Sequence, residues 1–561
     1  MKTKLKNLSG RKALLLCSVS ALSFLLGAAV MKMEGPITRP IVESAEKVIG
    51  LSFNDAKRDS MLDGLNDQLK SYEKIRQIHL DNSVMPAVIF NPLPVGYQFD
   101  VKQRPLKFSD YSKTKMPSNI EDLAYYSIGE LSYLLKNRKV TSEALTKMYI
   151  GRLKKYGPKL ECVITLTEDL AMKQARQADK EIAAGKYRGP LHGIPYGAKD
   201  LLSVKGYKTT WGAMPYKDQV IDADATVIKK LEEAGAVLAA KLTMGALAWG
   251  EYWFGGMTRN PWNYDQGSSG SSAGSASAVS AGLVPFAIGT ETWGSIVSPS
   301  TVCGTSGLRP TYGRVSRTGA MALSWSMDKI GPITRNAEDC AFVFRAIYGP
   351  DGTDQTLYDV PFNYNQNIRL SGLRIGYLKK DFANLKFAFH EQDSVTLETL
   401  KKMGATLVPI DLPEIPVNDI SFILNAEAAA AFDELTRSGK DDMMVRQIKN
   451  AWPNVFRHSR FIPAVEYINA NRIRFQLIQA MDKMLKGVDL YMAPSWDGDN
   501  SLVTNLTGHP LVVVPNGFSK EGTPTSITFV GKLFDEGTII AAAAAYQKQT
   551  DFHKKHPVLK Q

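Results

Sequence analysis

Apolar residues recur at helical spacing over residues 142–153, where Leu145, Met148, Tyr149 and Leu153 fall on one face and Thr141 or Ser142 can cap the start. Residues 224–234 read as a second helix ended by Gly235, and residues 236–242 as a buried strand. The short, largely apolar runs at 373–377, 488–492 and 511–514 have the character of interior strands. This alternation predicts an α/β fold, a mixed central β-sheet flanked by helices on both faces. Nearer the amino end, Met61, Leu65, Leu69 and Tyr72 predict a helix over residues 55–79. Pro86, Pro92 and Pro94 then mark residues 85–97 as irregular, and residues 109–119 are polar. These stretches either wrap the core or rim a pocket. No internal repeat is present.

Composition narrows the class. At 561 residues and 44% hydrophobic content, the chain can bury a large core. Lys2, Lys4, Lys6, Arg11 and Lys12 precede an uncharged stretch from Ala13 to Met31, with small residues at Gly27, Ala28 and Ala29. The pattern reads as a leader over residues 1–29, cleaved after Ala29 or retained as a membrane anchor, and predicts an exported protein. The net charge is +12, and five of the basic residues lie in that leader, so the remainder is only mildly basic. Its cations are scattered, so a nucleic-acid partner is not indicated. Beyond Cys17 the chain keeps Cys162, Cys303 and Cys340, an odd number that indicates no disulfide framework.

The candidate chemistry lies in a stretch of Gly and Ser. Residues 267–274, GSSGSSAG, make a poor strand and a poor helix, because Gly loses backbone entropy and Ser competes for backbone hydrogen bonds. A linker has similar composition but would not run into the apolar segment 276–288 and then a second small-residue turn at 292–295. Upstream, Lys199 is the one formal cation in GPLHGIPYGAKDLL, residues 189–202. Beside Asp200 it reads, taken alone, as half of a surface pair. Buried, it would lose proton affinity and become a base.

Other motifs carry less. Residues 270–274 match G-x-S-x-G with Ser272 as nucleophile, but residues 259–267 before it are turn-rich where that elbow requires a strand. The S-x-x-K matches at Ser112 and Ser326 lack the K-T-G and S-D-N partners. There is no H-E-x-x-H, C-x-x-C, phosphate loop or strand-anchored G-x-G-x-x-G, so no metal, nucleotide or dinucleotide cofactor is implied. His192 reads as a structural histidine.

Together, GIPYGAKD (193–200), SGSSAGSASAVSAGL (269–283), GTETWGSIVSPSTVCGTSGLRPTYGRVS (289–316), SMDKIGPITR (326–335) and NLTGHPLVVVPNGF (505–518) resemble the amidase signature family of serine hydrolases. The resemblance covers roughly residues 125–555. It implies a single catalytic domain over residues 121–561, preceded by an extension over 30–120. It also implies amide hydrolysis with Ser295 as nucleophile, Ser271 as bridging serine entered through a cis Gly270–Ser271 bond, and Lys199 as base. Ser272 would be a supporting hydroxyl, and Thr292, Trp293, Gly294 and Ser295 would form the oxyanion turn. The implied substrate is a small-molecule or peptide amide. Trp293, Glu291 and Val297 depart from the commonest family pattern. The indole of Trp293 would stand beside the nucleophile or turn away into the core. Two alternatives are the glutaminase-type subunit of a tRNA-dependent amidotransferase and a catalytically silent binding protein on the same fold.

Overall fold

The computed structural model describes residues 35–560, which divide into two units at Asp81 and Asn82. The first unit holds the helices Arg39–Ile49 and Asp55–Ile75. Asn54 caps the second by accepting from Lys57 N–H at 3.0 Å, and the guanidinium of Arg58 grips Glu46 at 2.8 and 3.0 Å. This helix ends four residues earlier than its apolar spacing predicts. Its stripe offers little to prolong it, since Met61, Leu65 and Leu69 are only half-buried and Tyr72 is exposed.

The second unit is built on an eleven-stranded mixed sheet. In chain order its strands are β1 (Val163–Leu166), β2 (Pro195–Lys199), β3 (Val237–Leu242), β4 (Phe286–Glu291), β5 (Ser306–Arg309) and β6 (Lys329–Thr334). They continue with β7 (Arg374–Leu378), β8 (Thr406–Ile410), β9 (Leu490–Pro494), β10 (Leu511–Phe518) and β11 (Pro524–Gly531). The spatial order is β1-β3-β2-β4-β6-β5-β10-β11-β9-β7-β8. Strand β2 runs parallel to both β3 and β4, whereas β6 is antiparallel to β4. Helices flank the sheet, as the alternating pattern predicts.

Local signals account for these elements. Thr141 caps the helix Ser142–Leu160 by accepting from Ala144 N–H at 3.1 Å, and Leu145, Met148, Tyr149 and Leu153 are all buried. The predicted helix ended by Gly235 is observed as Thr226–Glu233, and Gly235 takes φ +82°. A Cβ there would come within 2.4 Å of the His192 ring, so conformation and space both select glycine. Strands β2, β3, β4 and β6 are buried along their whole lengths, consistent with their nearly unbroken apolar and small-residue runs.

Residues 82–127 add no strand to the sheet and lie over this unit. Phe90 meets Tyr312 edge-on at 5.0 Å and carries the Arg474 guanidinium 3.6 Å above its ring. Phe108 stacks on Phe342 at 4.2 Å, and Tyr111 donates to Glu338 at 2.7 Å. The irregular stretch therefore wraps the core, and part of it also borders a cavity described below. Cys162, Cys303 and Cys340 are free and buried.

Replacing Thr141 with alanine is expected to cost about 1 kcal/mol of stability. Chemical denaturation should show this as a lowered midpoint with an unchanged m-value.

Candidate active site

Lys199 is the last residue of β2 and is fully buried. Its Nζ is within hydrogen-bond distance of Ser271 Oγ at 2.8 Å, Ser272 Oγ at 3.0 Å and Thr290 Oγ1 at 2.8 Å, and it lies 3.4 Å from the Thr290 carbonyl oxygen. These partners are hydroxyls and a carbonyl, none of them charged. Burial pushes the amine well below the ordinary lysine range, and the fields of Asp328 and Glu291 offset this only in part. The neighbouring Asp200 does not pair with Lys199. It takes the Lys241 ammonium at 2.8 Å instead, and both of those side chains are fully buried, so the surface-pair reading fails.

Two loops bring the serines to this amine. The Gly270–Ser271 peptide bond is cis. Gly270 lies so close to the Gly250 carbonyl that a Cβ would stand 1.8 Å from its oxygen. Ser272 Oγ donates to the Thr290 carbonyl at 3.0 Å and accepts from Thr290 N–H at 3.1 Å, which staples this loop to β4. The same serine's N–H donates to the Ser295 carbonyl at 3.2 Å, and Ser298 Oγ donates to the Gly270 carbonyl at 2.8 Å. A two-stranded ribbon, Arg259–Asn260 with Asn263–Gly267, precedes the loop outside the central sheet. Ser272 is thus a fully buried staple and does not stand at the head of a nucleophile elbow.

The turn from Thr292 to Ser295 is held from beneath by Glu291. One oxygen of that carboxylate accepts from the N–H groups of Ile296 at 2.8 Å and Val297 at 3.0 Å. The other accepts from Arg309 at 2.7 Å and from Asn505 at 2.9 Å. Burial alone would raise this carboxyl, but the Arg309 charge, the Asn505 amide and the Ile296 N–H outweigh it and hold the group down at about 2. Thr292 donates to Asp328 at 2.5 Å, and the other oxygen of Asp328 accepts from Leu323 and Ser324 N–H at 2.8 and 2.9 Å. Gly294 takes φ +81°, which favours glycine. Trp293 is 42% exposed, so its indole does not turn into the core. Access rises outward, from Lys199 at 0% exposed through Ser271 at 1% to Ser295 at 8%.

All seven residues singled out in the sequence therefore fall in or beside one cluster. Sequence reasoning assigned no part to Thr290, Asp328, Arg309 or Asn505, although each lies in or next to a quoted motif. The available signal was an ionised residue within an otherwise buried strand, as with Glu291 and Arg309. His192 belongs elsewhere, accepting from Arg188 N–H at 3.1 Å near Glu181.

A cavity of about 510 Å³ adjoins the cluster and is bordered by Thr290 and Thr292. Its apolar wall includes Leu201, Met321, Leu323 and Ile330, joined by Met85 and Ile89 from the irregular stretch before the sheet.

Because Glu291 neutralises a fully buried Arg309, Glu291→Gln is expected to lower the unfolding free energy at neutral pH by about 3–5 kcal/mol. The wild-type carboxyl, held near 2 in the folded state, contributes stability that is present above its ordinary pKa and lost as pH falls toward 2. The gap between variant and wild type should therefore shrink on acidification in that window, as read by denaturation at a series of pH values.

Comparison with known proteins places this geometry. The Amidase family model matches residues 144–499. The chain is 34% identical over 487 residues to a glutamyl-tRNA(Gln) amidotransferase subunit of Acinetobacter baumannii, covering 78% of this chain and 99% of that protein. The native peptide amidase of Stenotrophomonas maltophilia superposes with TM-score 0.69 at 28% identity, covering 79% of this chain and all of that one. An amidase family protein from Bacillus anthracis superposes with TM-score 0.71, also at 28% identity, over 78% of this chain and 94% of that one. The expected leader over residues 1–29 lies outside the described residues. The expectation of an exported or anchored protein is corrected by the relatives, which match most of the chain and are subunits of an amidotransferase named for glutamyl-tRNA(Gln). Among the described residues, no helix is long and apolar enough to cross a membrane. With the family model spanning more than half of the chain and the solved amidases sharing its sheet, the chain belongs to the amidase signature family, hydrolases of amide carbon–nitrogen bonds.

Proposed function

We propose that the protein cleaves an amide through an acyl-enzyme on Ser295, with Ser271 and Lys199 as the proton relay. The observation that carries this reading is the Lys199 amine, buried without a contacting carboxylate and 2.8 Å from Ser271 Oγ. A buried amine of lowered pKa is uncharged over a broad pH range, and an uncharged amine accepts a proton. Lys199 draws the proton of Ser271, which in turn takes that of Ser295, whose oxygen adds to the amide carbonyl. Among the described residues, no group accepts a hydrogen bond from the N–H of Trp293, Gly294 or Ser295, which leaves these donors open to the oxyanion. The proton returns through Ser271 to the amide nitrogen, the C–N bond breaks, and ammonia or an amine leaves. Water then adds to the ester, losing its proton to the same relay, and the acid departs as Ser295 regains its hydrogen.

The 34% identity to one component of an amidotransferase, over almost the whole of that protein, favours a second reading at the same site. There the amide is that of glutamine, and the ammonia passes to a partner protein. Purification from the native source distinguishes the two, since bound partners and glutamine turnover accompany only the second.

A serine-directed fluorophosphonate should label the wild type at Ser295. Ser295→Ala should lose the label and at least about 10³-fold in amide turnover. Undiminished labelling of the variant would move the nucleophile elsewhere. Lys199→Ala should lower kcat by about 10²-fold or more and remove the acid limb of the pH–rate profile, since the base that must be unprotonated is gone.

A further inference from the structure

We infer that the cavity beside the catalytic cluster receives a hydrocarbon substituent of the amide, and that residues 82–89, outside the region matched by the family model, make this chain selective for such substrates. The inference rests on the proposed reaction at Ser295.

The wall supplied by this strap is pinned at a defined place. Asn82 Nδ2 donates to the Ala322 carbonyl at 2.9 Å, and its Oδ1 accepts from Ala322 N–H at 2.7 Å, so one amide clamps both polar groups of a single residue across the chain. A further donation reaches the Ala431 carbonyl at 3.3 Å. Downstream, the Arg474 guanidinium over Phe90 fixes the other end. Between the two anchors, Met85, Pro86, Ala87 and Ile89 face the cavity. The matched region begins only at residue 144, so these side chains lie outside what the family model describes.

Most of the buried polar side chains on the lining are already engaged, the Trp325 Nε1 donor being the exception. Thr290 serves Lys199 at 2.8 Å, and Thr292 holds Asp328 at 2.5 Å. Arg317 is bonded to Asp354 at 3.3 Å, and Thr318 to Thr353 at 2.8 Å. Away from the single Trp325 indole N–H, a polar substituent would have to break one of these pairs to gain a partner of its own, whereas a hydrocarbon only displaces water from Met85, Leu201, Met321 and their neighbours. A volume of about 510 Å³ accommodates a substituent much larger than a methyl group. Thr290 and Thr292 belong both to the lining and to the cluster around Lys199 and Ser295, so such a substituent would lie next to the reacting carbonyl.

Two variants leave the catalytic cluster untouched. Asn82→Ala releases the strap, and Met85→Trp fills space on its inner side. With the full-length chain, kcat/KM is compared on acetamide and hexanamide for the acyl side, and on N-methyl and N-hexyl acetamide for the amine side. The inference expects wild type to prefer the longer member of one series by about tenfold or more. It expects both variants to lose most of that preference while turning over the short member within about threefold of wild type. Whichever series shows the effect identifies the side of the amide that enters the cavity. No chain-length preference in either series, or an equal loss on short and long members, would overturn the inference. Fluorophosphonate labelling of Ser295 in both variants separates this failure from that of the nucleophile assignment: an intact label with unchanged selectivity refutes the strap alone.

Discussion

The structure depends on holding a lysine amine out of water without giving it a carboxylate. Desolvation disfavours an ammonium by several kcal/mol unless an opposite charge compensates. Adjacent strands of this sheet show both outcomes. Lys241 on β3 receives Asp200 at 2.8 Å, and its fall in pKa is opposed by that partner. Lys199 on β2 receives two serines and a threonine, and its pKa falls much further. Between these two lysines, partner chemistry separates the one held in an ion pair from the one left without a contacting carboxylate.

Such an amine is useful only if its hydroxyl partners stay in place, and the surrounding bonds serve that end. Ser272 both donates to and accepts from the Thr290 backbone, in addition to its contact with Lys199, so it fixes the loop that carries Ser271. Glu291 gathers two backbone N–H groups, Arg309 and Asn505 on one buried carboxylate, and so ties the Ser295 turn to β5 and to the helix Asn500–Thr507. The glutamate side chain is long enough to reach all four donors. The same strand therefore positions the base through Thr290 and the turn through Glu291.

Much of the fold was legible because its signals are local. Period and capping sufficed for the helix after Thr141 and for β3, β9 and β10. The site was legible in its motifs but not in its contacts. Lys199 and Asp200 are neighbours in sequence, yet successive side chains at a strand end point to opposite sides, so each meets a different partner. Thr290, Asp328, Arg309 and Asn505 reach the cluster from separate elements, and no spacing in one sequence encodes such meetings. The leader-like segment misdirected the reading of location, because a basic start followed by an apolar run says nothing of the remaining chain. The extension could not be divided between wrapping and rimming on sequence grounds, and it does both: Phe90 packs on Tyr312 while Met85 lines the cavity.

The region matched by the family model thus holds Lys199, Ser271 and Ser295, and the preceding strap supplies part of the wall of the adjoining cavity. Proton transfer through this relay turns on the charge of one nitrogen. An NMR titration of protein carrying ¹⁵N-labelled lysine, with the Lys199 Nζ resonance assigned through its absence in Lys199→Ala, measures that charge directly. A base in this position should be a neutral amine at neutral pH, titrating far below the ordinary lysine range. An Nζ that stays protonated up to the ordinary lysine range would deny Lys199 that role.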